Sequence, residues 1–346
     1  MTRVAVLGAN GFIGNRTVEM LHASGKYDVR PIVRRASAAA LPRRFDLDVR
    51  VAHGRDRAAL ADVFEGCDSV VASLAGDPAT ITDVIDPIYQ AAHDAGVRRL
   101  IYLSSASVHG QAPAPGTDER SPLSDRQPLA YNNAKVAAER QLGRIGRSGG
   151  PESVILRPGI VFGPRSQWIG GWADEVLSGD AYLVEGAKGL CNAIYVDDVV
   201  RAIILAMKAT DAPGRAYLLG QREQVTWRDL YAPVCEVLGV GIESLPDCPS
   251  SAARPEFTPR ASPLRRWVRR TVPKGLRAGI QAAVHRGGGD RPFVSIERAQ
   301  LQTAQYVPPW TSAREELGYE PAVSFEDGVR HSIDWLKFAG YPVERR

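Results

Sequence analysis

The sequence predicts an α/β fold with a doubly wound parallel sheet and a smaller C-terminal α/β region. Three observations predict it. Short apolar runs alternate with helical patterns along residues 3–220, a glycine-rich turn follows the first run, and serines, glycines and prolines follow later runs. Strands of a parallel sheet are buried on both faces, and therefore appear as nearly continuous apolar runs separated by helices.

The first apolar run, residues 3–7, is predicted to be a buried strand. Three glycines spaced by two residues follow it, then a helical pattern, then a second strand over 29–33. In this context the glycines let the backbone approach a pyrophosphate, and the helix N-terminus supplies N–H donors. The turn is therefore predicted to bind a dinucleotide through Gly8, Asn10, Gly11, Phe12, Ile13 and Gly14.

The end of the second strand indicates which dinucleotide binds. An acidic residue there would bond the ribose hydroxyls of NAD, but the sequence has Val33 followed by Arg34 and Arg35. A pair of guanidinium groups suits a 2′-phosphate. The sequence thus favours NADP over NAD, the alternative being that both arginines are solvated surface residues.

Further elements alternate in the same way. A strand over 68–76 leads to the small-residue turn Leu74, Ala75 and Gly76, a helix is predicted near 83–95, and a strand over 98–110 carries Ser104 and Ser105. Another strand, 152–164, has an exit rich in proline and glycine. Ligands bind at the carboxyl ends of strands in open α/β sheets, so these serines are expected beside the glycine turn.

A tyrosine and a lysine four residues apart begin the amphipathic helix that follows. At this spacing Tyr131 and Lys135 share one face, and Lys135, Glu139 and Arg140 are predicted to reach solvent. A phenol has a pKa of about 10, and a nearby ammonium lowers it, so that the phenol can exchange protons near neutral pH. The alternative is a chance pair.

Composition excludes several other classes of protein. The net charge of +4 is too small for a nucleic-acid-binding polycation, and the four cysteines form no metal-binding or disulfide pattern. The N-terminus has no signal-peptide pattern, and no run reaches the roughly 18 apolar residues of a membrane span. A cytoplasmic protein without a metal site is expected.

These pieces together resemble the extended short-chain dehydrogenase/reductases, which include nucleotide-sugar epimerases, dehydratases and ketoreductases. The matching motifs occur in order: the glycine turn, "LAG" at 74–76, "SSASVHG" at 104–110, Tyr131-x-x-x-Lys135, "RPGIVFGP" at 157–164, "YVDDVV" at 195–200 and "LGYEPAVSFEDGVRHSIDWL" at 317–336.

The resemblance implies a Rossmann domain and a role for each motif residue. Tyr131 would be the general acid/base. Lys135 would lower the pKa of Tyr131 and hold the nicotinamide ribose, and Ser105 would form a hydrogen bond to the reacting oxygen. Ser104 would contact the cofactor, and the segment from Pro158 to Val161 would line the nicotinamide. A homodimer is expected.

The sequence departs from the family pattern around the substrate. Ala106 and Ser107 follow Ser105 where a dehydratase would carry an acidic pair, which argues against dehydration. Before "VDD", where many nucleotide-sugar enzymes have an arginine, the chain has Cys191 and Asn192. The substrate-binding candidates are accordingly Ser107, His109, Arg165 and Asn192; the alternative for Arg165 is a solvated loop arginine.

The NADP-binding Rossmann domain is predicted over 1–164 and 193–222, and the substrate-binding region over 165–192 and 223–346. Within the latter, residues 254–291 hold ten Lys/Arg and two acids, a formal +8 that leaves −4 elsewhere. This basic amphipathic segment is predicted to attract an anionic substrate. The segment could instead contact a membrane surface or be a solvated helix face. The glycines at 287–289 suggest a mobile connection in the chain.

Three functions follow from these observations. The first is an NADP(H)-dependent oxidoreductase that interconverts a secondary alcohol and a ketone on an activated sugar or related metabolite. The second is an epimerase that passes through a transient ketone. The third is a cofactor-sensing binding protein, and the intact Ser105, Tyr131 and Lys135 set argues against it because a sensor needs no proton donor.

Overall fold

The structure, a computed structural model, describes residues 1–210, 212, 214–254 and 293–343. The predictions for the basic segment and for the glycines at 287–289 lie outside the described residues, except at the first residue of the segment. The strands are β1 Thr2–Leu7, β2 Tyr27–Val33, β3 Arg50–Val51, β4 Ser69–Ala72, β5 Arg99–Leu103, β6 Glu152–Pro158, β7 Ile160–Phe162, β8 Leu183–Val184, β9 Leu190–Cys191, β10 Ala193–Tyr195, β11 Ala216–Leu219, β12 Val225–Thr226 and β13 Asp247–Cys248. The helices are α1 Phe12–Ala23, α2 Arg57–Phe64, α3 Pro78–Asp83, α4 Ile85–Asp94, α5 Ala130–Ile145, α6 Trp172–Ser178, α7 Val196–Lys208, α8 Trp227–Val237, α9 Ile296–Gln302, α10 Thr311–Leu317 and α11 Phe325–Phe338.

Seven of these strands form one parallel sheet, in the order β11-β6-β5-β4-β1-β2-β3. The chain moves outward from β1 to β3 and then restarts at β4 in the opposite direction. The strand order therefore reverses between β1 and β4, which is where ligands bind in doubly wound sheets. The predicted doubly wound parallel sheet is confirmed.

Each strand of the sheet sends alternate side chains into two separate cores. Val4 and Val6 of β1 pack on one face with α1, α7 and α10, whereas Ala5 and Leu7 pack on the other with α2, α4 and α5. All four are buried. Burial on both faces explains why β1 is a continuous apolar run in the sequence.

The chain divides into two compact units. The first comprises Met1–Val161, Asn192–Arg222 and Pro308–Phe325, and the second comprises Phe162–Cys191, Glu223–Val307 and Glu326–Arg346. Residues 308–325 group with the sheet-bearing unit, whereas the predicted substrate-binding region includes them.

Buried polar contacts explain why this late segment belongs to the first unit. Asp198 in α7 is fully buried, and its carboxylate accepts the backbone N–H groups of Ala322 at 2.9 Å and Val323 at 3.3 Å. The Tyr319 hydroxyl donates to the Gly220 carbonyl oxygen at 2.8 Å. Neither partner can be identified from the local sequence pattern.

The second unit contains the helices α6, α8 and α9, nearly all of α11, and two short strand pairs. Strand β8 pairs with β13 in parallel, and β9 pairs with β12 in antiparallel orientation. Its core is rich in aromatic rings: Trp172 stacks on Tyr231 at 4.0 Å between centroids, and Trp227 meets Trp168 edge-on at 5.1 Å.

All four cysteines are free thiols. Within the described part of the chain, no helix has both the length and the hydropathy that crossing a membrane requires.

Candidate active site

The glycine turn connects β1 to α1 at the switch point of the sheet. Gly8 has φ +87, and a Cβ there would lie 2.2 Å from the Ser73 carbonyl oxygen. A Cβ on Gly14 would lie 2.3 Å from the Gly8 carbonyl oxygen, because α1 packs closely on the turn. Both positions therefore require glycine, because a side chain at either would collide with the backbone. Gly8 also requires it because its φ is positive.

The N-terminus of α1 remains available to a ligand. Its N-cap is Gly11, which is exposed and has no side chain to accept the N–H groups of the first turn. Asn10 is exposed, and Phe12 and Ile13 are half-buried. Uncapped N–H groups and the positive end of the helix dipole suit a phosphate.

The loop after β4 lies against this turn. The predicted residues Leu74, Ala75 and Gly76 follow Ser73, whose carbonyl oxygen approaches Gly8, and Leu74 Cδ2 is 3.4 Å from the position of a Gly8 Cβ. Ala75 and Gly76 are exposed. The structure thus places two of the predicted cofactor-binding segments side by side.

Arg34 and Arg35 follow the buried Val33 at the end of β2 and are exposed. Neither guanidinium bonds to another of the described residues. The main chain beyond them forms a short 3-10 turn over Ala36–Ala38. Both cations are therefore free to meet an anion at the edge of the sheet, on the β1–β2 side of the switch point.

Tyr131 and Lys135 lie in the first turns of α5, at the carboxyl end of β5. Lys135 Nζ donates to the Leu103 carbonyl oxygen at 2.8 Å and is 5.9 Å from the centroid of the Tyr131 ring. Tyr131 is 36% exposed, but Lys135 is only 2% exposed. Burial lowers the pKa of Lys135 to about 8, an effect that the Glu139 carboxylate opposes.

The prediction that Lys135 and Glu139 reach solvent is wrong. Both are buried, whereas Arg140, from the same prediction, is exposed and pairs with Asp125 at 2.6 Å. Amphipathic periodicity assigns charged residues to the outer face of a helix. It fails here because the buried face of α5 carries two charged residues with partners in the sheet: Lys135 bonds to β5, and Glu139 pairs with an arginine of β6.

Glu139 is the centre of a buried ion-pair network that the sequence reading missed. Arg157 of β6 donates to both carboxylate oxygens, at 3.1 and 2.6 Å, and each side chain is 5% exposed. The Ser104 hydroxyl donates to Glu139 Oε1 at 2.5 Å. The available signals were the four-residue step from Lys135 to Glu139 and the arginine in "LRPG".

His109 lies at the edge of this network. Arg157 Nη1 is 3.1 Å from His109 Nε2. Arginine has only donors, so Nε2 accepts and the neutral ring carries its proton on Nδ1. Burial, followed by the charge of Arg157, lowers the pKa of His109 to about 4. This substrate-binding candidate is therefore a neutral ring of fixed tautomer at neutral pH.

Ser105 begins the 3-10 turn Ala106–His109, which follows β5 and packs against α5. The Ser107 hydroxyl donates to Ser105 Oγ at 2.9 Å, so the candidates Ser105 and Ser107 are in contact. Ser105 is half-buried and Ser104 is buried. Of this serine pair, Ser104 faces the ion pair, and Ser105 is the one with exposed surface.

The segment from Pro158 to Val161 lies beside Asn192 in the first unit. Ile160 N–H donates to the Asn192 carbonyl oxygen at 2.6 Å, and a Cβ on Gly159 would lie 2.1 Å from that oxygen. Asn192 Oδ1 is buried and accepts no hydrogen bond from the described residues. Arg165 belongs to the second unit, and its backbone is left-handed with φ 74, which is uncommon outside glycine.

Comparisons with known proteins agree with this geometry. The model of the NAD dependent epimerase/dehydratase family matches residues 4–220. A 3-diazoavenalumate denitrifying reductase from Streptomyces sp is 33% identical over 225 residues, 60% of this chain and 72% of its own. A 3 beta-hydroxysteroid dehydrogenase/Delta 5-->4-isomerase from Mycobacterium tuberculosis is 27% identical over 361 residues, 96% of this chain and 90% of its own.

Solved structures show the same fold. A dTDP-glucose 4,6-dehydratase from Streptomyces venezuelae has a TM-score of 0.72 at 22% identity, with 97% of each chain covered. A nucleoside-diphosphate-sugar epimerase from Pseudomonas aeruginosa has a TM-score of 0.69 at 24% identity, covering 98% of this chain and 99% of its own. The glycine turn, the Tyr131–Lys135 pair and the family match lead to one conclusion. The chain belongs to the NAD dependent epimerase/dehydratase family of extended short-chain dehydrogenase/reductases, and is an NAD(P)-dependent enzyme.

Proposed function

We propose that the chain is an NADP(H)-dependent oxidoreductase that interconverts a secondary alcohol and a ketone. The observation that carries the proposal is the Lys135 ammonium, which is buried, bonded to the end of β5 and adjacent to the partly exposed Tyr131 ring. A family member with this pair intact has a proton donor next to a fixed positive charge. The direct test is NADPH consumption with a panel of ketones, including keto-sugar nucleotides and cyclic ketones.

The chain's own residues would act on the substrate oxygen. When bound, the nicotinamide supplies or accepts the hydride. Tyr131 would give a proton to the oxygen during reduction and take it back during oxidation, and Ser105 would hold that oxygen by a hydrogen bond. Lys135 would favour the phenolate form of Tyr131 and contact the nicotinamide ribose.

The residues present fit the cofactor. The uncapped N-terminus of α1 would hold the pyrophosphate, and the exposed Arg34 and Arg35 would hold the 2′-phosphate. Asn192 Oδ1, a buried acceptor without a donor in the described residues, would accept from the carboxamide of the nicotinamide. That assignment would make Asn192 a cofactor residue as well as a substrate-binding candidate.

Replacing Arg34 by alanine is expected to weaken NADPH binding at least ~10-fold and to leave NADH binding nearly unchanged. A hydrogen bond between a guanidinium and a phosphate is worth about 1.5–3 kcal/mol, and NADH lacks that phosphate. Both dissociation constants are measurable by fluorescence titration. Arg43→Ala, which removes another exposed arginine between β2 and β3, is the matched control. Equal losses for both nucleotides would refute the assignment.

The charge state of Lys135 predicts the pH dependence of the enzyme. Its pKa of about 8 means that the ammonium is present at pH 7 and lost as the pH rises through 8. We therefore expect kcat/KM to fall above pH 8, since this quantity reports groups of the free enzyme. In Lys135→Arg the charge persists, so the limb near pH 8 should disappear from the profile. A limb that stays at pH 8 in this variant belongs to another group.

An epimerase is the second candidate, favoured by the family match. It uses the same residues, but restores its cofactor in every cycle and can keep it bound. Denaturing the purified protein distinguishes the two: stoichiometric release of oxidised nicotinamide nucleotide indicates an epimerase. The proposal also includes an activated sugar as the substrate and a role for residues 254–291 in attracting an anionic substrate. It further includes a cytoplasmic location and a homodimer.

A further inference from the structure

The second unit contains a cavity of about 200 Å³ between α8, α9 and Trp168, which precedes α6 in the chain. Half of its lining consists of the rings of Trp168, Trp227 and Tyr231 and of Leu301. The other half is polar: Ser295, Glu297, Arg298 and Gln302. Cavities of about 150 Å³ with apolar walls admit benzene, so this one has room for a bicyclic ring. Its aromatic walls favour a flat, hydrocarbon-rich occupant, because rings gain both buried area and offset or edge-on contacts.

Two buried donors in the lining have no acceptor. Trp227 and Gln302 are each 1% exposed, and neither Trp227 Nε1 nor Gln302 Nε2 has a hydrogen-bond partner within the described chain. Unpaired buried N–H groups are rare, and each one costs stability. A ligand oxygen that accepted from them would remove this cost, so the lining is suited to an acceptor.

Two charged residues line the cavity, Glu297 and Arg298, and neither is without a partner. The Arg298 guanidinium bonds both oxygens of Glu175, at 3.0 and 2.8 Å, and lies 4.4 Å from the centroid of the Tyr182 ring. A guanidinium held in this way has little capacity left for an anionic ligand. The buried Gln302 Oε1 already accepts the Val184 N–H at 2.7 Å, and Ser295 Oγ accepts the Arg298 N–H at 3.1 Å. Donors of a ligand would therefore find these acceptors in use.

We propose that this cavity binds an uncharged, flat, carbon-rich ring that carries a ketone or hydroxyl oxygen, with Trp227 Nε1–H and Gln302 Nε2–H donating to that oxygen. A nucleobase fits less well, because its ring N–H groups need acceptors. That the ring is part of the substrate depends on the function proposed above. Binding is measured without cofactor, so the two proposals can fail separately.

The test compares 1-indanone with indane, which has the same ring system and no oxygen, by calorimetry on the full chain. The wild-type protein should bind 1-indanone about 10-fold more tightly than indane, because two neutral hydrogen bonds favour the ketone. Trp227→Phe keeps an aromatic ring and removes one donor. Its ketone-to-indane ratio should fall about 3- to 5-fold, and its thermal stability without ligand, which reports folding, should be checked alongside.

Three results would overturn the proposal. They are equal binding of 1-indanone and indane by the wild-type protein, no binding of either, and a ratio that Trp227→Phe leaves unchanged. Uridine and indane-2-carboxylate are the competing probes. Tighter binding of uridine would assign the cavity to a nucleobase, and tighter binding of the carboxylate would show that Arg298 accepts anions. Weaker binding of both than of 1-indanone is the expected result.

Discussion

Tyr131→Phe is expected to lower kcat at least ~100-fold while the dissociation constant of NADPH changes little. The substitution removes the transferable proton and keeps the ring next to Lys135 Nζ, and general acid–base catalysis contributes ~100- to 10,000-fold in enzymes. The measurement is kcat under saturating substrate, together with a fluorescence titration of NADPH.

Tyr89→Phe is the matched control for the loss of a tyrosine hydroxyl. Tyr89 is buried in the same unit, and its hydroxyl donates to the Gly149 carbonyl oxygen at 3.0 Å. This variant should lose about 1 kcal/mol of stability and keep its kcat. If Tyr131→Phe retained near-normal turnover, the acid/base role would have to pass to another group. A combined loss of kcat and NADPH binding would instead indicate a damaged fold.

The second large effect concerns the buried Glu139–Arg157 pair. Glu139→Ala leaves the Arg157 guanidinium without its countercharge at 5% exposure, and breaking a buried pair in this way costs ~3–5 kcal/mol. The melting temperature should fall by about 4–7 °C, because an unfolding entropy of about 2.1 cal/mol/K per residue over 346 residues gives about 1.4 °C per kcal/mol. Because Glu139 opposes the lowering of the Lys135 pKa, its loss should also move the alkaline limb of the pH profile below 8.

Two further variants separate the pair from its surroundings. Adding Arg157→Met to Glu139→Ala removes the stranded charge, and should recover much of the lost stability, which would reveal strong coupling between the two sites. Asp125→Ala breaks the ion pair between Asp125 and Arg140, in which the Arg140 side chain is 48% exposed and the Asp125 side chain 49% exposed. This variant should lose under about 1 kcal/mol of stability. Equal costs for Glu139→Ala and Asp125→Ala would contradict the argument from burial.

Local patterns predicted the first unit well. The apolar runs of β1, β4 and β5 are continuous because both faces are buried, and the glycine spacing identified a turn in which Gly8 and Gly14 leave no space for a Cβ. The predicted strand over 98–110 ends instead at Leu103, since Ser105 caps a 3-10 turn and bonds to Ser107. Polar side chains that bond their own backbone compete with strand pairing.

Charges with distant partners were not predictable in the same way. Periodicity placed Glu139 outside, yet its partner Arg157 is 18 residues away and on another element. The cavity of the second unit likewise depends on Trp227 and Gln302, which are far apart in sequence and in no shared motif. Such pairings require three-dimensional information, because no local spacing encodes them.

The buried Asp198 also affects the order in which the protein can fold during synthesis. Its carboxylate accepts hydrogen bonds from the backbone of Ala322 and Val323, which are synthesised more than one hundred residues later. Until then the Asp198 carboxylate, which is fully buried in the finished fold, lacks these two donors. The Tyr319 hydroxyl likewise cannot yet donate its hydrogen bond to the Gly220 carbonyl oxygen. The sheet-bearing unit can therefore complete its packing only after most of the second unit has emerged. Purified chains truncated at residue 317 and at residue 325 should accordingly differ sharply in their resistance to proteolysis.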